Sequence, residues 1–146
     1  MMQVKFKDEK EKWDIIRTLL TDTEQGLLDT VGQDKLITLI EQGGDPCLMM
    51  NDEELEEFHT LPDVIEIYRG VASEDDLNFD KYGHGIHWTK SFKTAEWFAE
   101  RFQSKNRCIL TGKVLKENVI AYFNEKNEDE LLINPNKVMG LSVCIL

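Results

Sequence analysis

The hydrophobic period of this chain changes once, near Leu61-Pro62, and that change fixes the class of fold. Before it, apolar residues recur at helical spacing: Trp13, Ile16, Leu19 and Leu20, then Leu27, Leu28 and Val31, then Leu36, Ile37, Leu39 and Ile40. Residues three and four apart share a helix face, so the spacing predicts three amphipathic helices. The run Gly43-Gly44-Asp45-Pro46 stops the third. Asn51, with Asp52, Glu53 and Glu54 behind it, predicts a fourth, short helix whose cap and acidic first turn suit the helix dipole. Leu55 and Phe58 are its expected buried side. After Pro62 the pattern is that of strands, at 64–68, 108–115, 119–123, 131–133 and 139–146. One helix interrupts them at about 93–102, with Ala95, Phe98, Ala99 and Phe102 on one face and Thr94 or Ser91 as its cap. No repeat or linker divides the chain. The expectation is a single α+β domain over 1–146, with a helical portion at 1–62 packed on a mostly antiparallel sheet core at 63–146.

Composition narrows the function classes. Hydrophobic residues at 41% and charged residues at 31% are the balance of a globular chain. No stretch reaches the length of a bilayer span, and the start MMQVKFKDEKEK lacks the apolar core of a signal peptide, so a cytoplasmic protein with no membrane association is expected. Cys47, Cys108 and Cys144 show no metal spacing and read as free thiols in a reducing compartment. His84 and His87 are spaced as two metal ligands are, but no third ligand cluster stands beside them, and no metal is expected. With 17 Lys and Arg against 28 Asp and Glu, the net charge of −11 repels nucleic-acid phosphate and disfavours bulk nucleic-acid binding.

Three short segments carry polar groups that packing does not ask for. Tyr68-Arg69-Gly70 ends an apolar strand with a guanidinium and a glycine. That pair suits an anionic phosphate held close to main chain, and equally a strand end whose arginine meets a surface carboxylate. The segment Gly83-His84-Gly85-Ile86-His87-Trp88-Thr89 reads either as one wall of a small-molecule pocket or as a hairpin turn followed by a core tryptophan. Glu128-Asp129-Glu130 precedes the apolar run Leu131-Leu132-Ile133. If a strand begins by position 128, its period of two sets Glu128 and Glu130 side by side, where like charges raise each other's proton affinity. Otherwise the triplet is a solvated acidic turn.

In this order the segments resemble the signature of the ADP-ribosyltransferase superfamily in its arginine–serine–glutamate branch, found in bacterial toxins, some phage proteins and vertebrate ecto-enzymes. The resemblance covers roughly positions 64 to 135 and rests on YRG, on GIHWTKSFKTAEWFAERF and on VIAYFNEKNEDELLINP. It implies a split, mostly antiparallel β core that binds NAD as co-substrate, without a metal. Glu130 would be the catalytic glutamate, and Glu128 the upstream acid of the E-x-E motif that accompanies arginine as acceptor. Arg69 would anchor the nicotinamide ribose and phosphate, and the backbone of Gly70 would receive the carboxamide. The loop Asn124-Glu125-Lys126-Asn127 would take the place of the substrate-recognising turn, and Trp88 or Phe98 would pack near the nicotinamide ring. The chain departs from the family at its serine motif, where it reads His87-Trp88-Thr89-Lys90-Ser91. Either His87 stands for the serine that orients the catalytic glutamate, or Thr89 and Ser91 are the outer residues of the motif. The implied activity is mono-ADP-ribosylation of a macromolecule, with a protein arginine favoured. NAD hydrolysis and a non-catalytic acidic inhibitor of the same fold are the alternatives.

Overall fold

Residues 8–21, 33–41, 44–76 and 85–146 are described by the computed structural model of the chain. The helix expected around Leu27, Leu28 and Val31, the stop residue Gly43, and the pair Gly83-His84 lie outside them. The chain forms two compact units, Met1–Asp52 and Glu53–Leu146.

In the first unit, helix α1 (Glu9–Thr21) is capped by Asp8, whose carboxylate accepts the Glu11 N–H at 2.8 Å. Trp13 and Ile16 are fully buried, at the spacing of three that the sequence shows. Helix α2 (Gln33–Glu41) is followed by a 3₁₀ turn, Pro46–Met49, whose cap Asp45 accepts the Cys47 N–H at 3.0 Å. Gly44 has a φ of +94, and a Cβ there would lie 2.3 Å from the Glu9 carboxylate, so only glycine fits.

The boundary between units falls ten residues before the seam expected at Pro62, because helix α3 (Asp52–His59) is tied to the sheet. Lys116 Nζ donates to the His59 carbonyl at 2.7 Å and Lys90 Nζ to the Glu57 carboxylate at 2.5 Å. The face of α3 also differs from expectation. Leu55 and Phe58 are half-buried, and the side chain taken fully out of water is Glu54, 2% exposed.

The second unit is built on a six-stranded sheet, antiparallel at every pairing, in the order β4-β5-β2-β1-β3-β6. Its strands are β1 (Val64–Ser73), β2 (His87–Thr89), β3 (Asn106–Leu115), β4 (Val119–Phe123), β5 (Glu130–Ile133) and β6 (Met139–Ile145). Registration is uneven. β1 and β3 pair continuously from Val64↔Leu115 to Ser73↔Asn106, whereas β1 and β2 meet at the single registered pair Tyr68↔Thr89. That thin seam lies beside Arg69.

Helix α4 (Phe92–Glu100) covers β1 and β3, and Ser91 is its cap, accepting the Thr94 N–H at 3.2 Å. Ala95 and Ala99 are fully buried and form a cluster with Ile109 and Tyr68. Small residues let the helix approach so closely that a Cβ on Gly70 would lie 1.9 Å from the Ala95 carbonyl oxygen. Phe102, expected on the buried face, is 72% exposed because the helix ends at Glu100 and the chain turns at Gln103, φ +49. Among the described residues no helix is long and apolar enough to cross a membrane.

Candidate functional site

The site assembles where β1, β2 and β5 converge. The guanidinium of Arg69 donates from Nη1 to the His87 carbonyl at 2.8 Å and lies against Gly85, where a Cβ would sit 2.4 Å from Cζ. His87 Nδ1 in turn donates to Glu130 Oε1. A carboxylate only accepts, so this contact puts the ring proton on Nδ1. The His87 and Glu130 side chains retain 26% and 18% of their exposure, which leaves the pair reachable from solvent. Three residues from three strands, 61 positions apart at the extremes, therefore form one continuous chain of contacts.

Glu128 reaches the same place by a different route from the one expected. The strand begins at Glu130, and Asp129, with φ +46, breaks the alternation that would have aligned the two glutamates on one strand face. A braced turn does the work instead. Thr89 Oγ1 donates to the Glu128 carbonyl at 2.8 Å, and the Lys90 N–H donates to the Asp129 carbonyl at 3.2 Å. Asn124 accepts the Asp129 N–H on its side chain at 3.1 Å and the Asn127 N–H on its carbonyl at 3.0 Å. The Tyr122 hydroxyl donates to Asp129 Oδ1 at 2.6 Å. Burial, and then the Asp129 carboxylate, push the Tyr122 phenol far above its ordinary value, which keeps it protonated as that donor.

The result is an acidic pair in a partly dry setting. Burial first, and the Glu130 charge second, raise the proton affinity of Glu128, against the opposing charges of Lys126, Arg101 and His87. A carboxyl adjusted in this way suits proton transfer to or from a bound nucleophile better than a solvated one.

The remaining expected residues divide. Thr89 is buried and acts through its hydroxyl on the turn, accepting the Ser91 N–H at 3.1 Å as well. Trp88 is 2% exposed and its indole N–H donates to the Gly85 carbonyl at 2.8 Å, so its ring is a core element that pins the start of β2. Phe98 is half-buried beneath Arg101, whose guanidinium also lies over Trp97 and Phe102, leaving Phe98 the more accessible of the two rings. Gly70 is required by the approach of α4, whatever its main chain binds. Sequence reasoning missed Glu54, Tyr122 and Asp129. Asp129 lay inside the acidic triplet, but nothing local marks Glu54, whose partner is 70 residues away.

No protein-family model, curated protein or solved structure matches the chain.

Proposed function

We propose that this chain is an NAD-dependent mono-ADP-ribosyltransferase with an ADP-ribosyltransferase-like β core, cleaving the nicotinamide–ribose bond and passing ADP-ribose to a macromolecule, a protein arginine foremost. The observation that carries this reading is the contact chain Arg69–His87–Glu130 with Glu128 beside it. It joins an anion-binding group, an orienting donor and two carboxylates, the set this chemistry needs around one sugar.

Nicotinamide is already a cationic leaving group, so its departure asks for little proton transfer. What it needs is stabilisation of the positive charge that develops on the ribose. Glu130, with Oε1 held by His87, offers Oε2 to the ribose 2′-hydroxyl. Arg69, held against Gly85 and β2, supplies positive charge for a phosphate. Glu128 takes the proton of the incoming nucleophile or orients it.

Incubation with NAD labelled in the adenylate half, in the presence of a cell lysate, tests the proposal. Label that stays on a macromolecule through denaturing wash is the expected result. Absence of both label transfer and nicotinamide release would overturn it.

A further inference from the structure

The substitution at the serine position gives this site a group that a serine would not provide. Nδ1 of His87 is committed to Glu130, and the carboxylate fixes the tautomer, so the neutral ring carries its basic lone pair on Nε2, at the far side of the ring from Glu130. The backbone of His87 is clamped at the same time by Arg69. A ring held at both its backbone and its Nδ1, with a quarter of its side chain still exposed, is a preorganised base with an open nitrogen. The Glu130 carboxylate thus orients an imidazole whose side chain is still partly exposed.

We propose that His87 Nε2 is the general base for attack of water on the ribose, so that the site hydrolyses NAD on its own when no macromolecular acceptor is docked; this rests on the NAD reading above. In the step, a water oxygen bonds to the ribose C1′ and the C1′–N bond breaks with its electron pair leaving on neutral nicotinamide. The water proton passes to His87 Nε2 and is then released to solvent. The products are ADP-ribose, nicotinamide and one proton.

Glu130 on β5 contacts the ring itself, and Arg69 on β1 holds the backbone carbonyl of His87.

His87→Asn separates base from positioning residue, because an amide N–H still donates to Glu130 but no proton is accepted at neutral pH. Nicotinamide release is measured for the parent, His87→Asn and His87→Ala, with added imidazole as a second arm and NAD affinity measured by calorimetry. A loss of about 10²-fold or more in turnover in His87→Asn, unchanged melting and NAD affinity, and partial restoration of His87→Ala by imidazole are expected. Turnover near the parent's in His87→Asn, or no restoration of His87→Ala by imidazole, would overturn the role of base. Failure of the parent to bind NAD at all would overturn the NAD reading itself, so the two failures are distinguishable.

Discussion

Glu54 accepts the backbone N–H of Asn124 on Oε2 at 2.8 Å, with its carboxylate buried to 2% exposure, and so holds the first residue of the turn that carries Glu128. A buried acceptor of this kind costs little while its donor is in place and much when it is removed, since the orphaned N–H keeps its desolvation penalty. Glu54→Ala should lower stability by about 1–3 kcal/mol. It should also reduce transferase activity beyond that loss, by letting the turn drift. Glu54→Gln keeps an acceptor and should recover part of both. Thermal melting and turnover of the two variants check this; equal activity in Glu54→Ala and the parent would show that the turn needs no such anchor.

Gly70→Ala tests the packing of α4 on β1. The added methyl meets the Ala95 carbonyl at 1.9 Å and the Ala99 nitrogen at 2.8 Å, both backbone, so the helix itself must shift. Overpacking of this kind typically costs about 1–3 kcal/mol. A fall in melting temperature of several degrees is expected, and an unchanged temperature would mean that α4 sits further from β1 than its contacts with Gly70 imply.

How much of this was legible in the sequence depended on whether the cause was local. Strand β4 was foreseen over the bounds it takes, 119–123, because alternation and β-branching act within a few residues. β1 runs to Ser73, five residues beyond the apolar pattern, since Arg69 and Gly70 pair with Leu110 and Ile109 of a strand their own neighbours do not announce. Of the two caps the sequence offers for α4, Ser91 and Thr94, Ser91 is the one used, whereas the end at Glu100 is not legible, because Phe102 continues the apolar spacing. The Glu128–Glu130 proximity was anticipated for a wrong reason. Strand alternation would need β5 to begin by position 128; it begins at Glu130, and a positive-φ turn at Asp129 brings Glu128 in instead. Glu54 was illegible because its value lies in a contact across 70 positions.

Glu128 gives the fold a pH dependence of definite sign. Its proton affinity is raised in the folded state, by burial and then by Glu130, above the ordinary value of 4.5. The folded chain then holds the proton over a window just above 4.5 in which the unfolded chain has lost it. Its contribution to stability is therefore fully present below that value and is lost as pH rises through the folded-state value. Glu128→Gln removes the penalty, so the variant should melt higher than the parent at pH 7 to 8, with the gap closing as pH falls toward 4. Melting curves across that range check it, and a gap that is constant with pH would mean that Glu128 is solvated like any other surface carboxylate.

Glu130→Gln should abolish both NAD hydrolysis and transfer while the fold persists. Glu128→Gln should lose transfer and keep measurable hydrolysis. The division follows from position on the proposed reading: Glu130 Oε1 is fixed by His87, at the chain of contacts that would surround the sugar, and would stabilise charge that every acceptor requires. Glu128 lies two residues earlier, on the loop held by Thr89, and on the same reading would serve the macromolecular nucleophile, whereas water would use His87 as its base. Loss of a group that acts in the transition state typically costs about 10²–10⁴-fold in rate, far outside experimental scatter. The amide of Glu130→Gln still meets His87 but carries no charge to offer a developing cation, so the loss should appear in kcat more than in KM. Nicotinamide release and label transfer, measured side by side with melting curves, read both variants. If Glu130→Gln turned over NAD at a rate near the parent's, the His87–Glu130 contact would be a structural ion pair joining β2 to β5, and the charge-stabilising role would have to pass to another carboxylate.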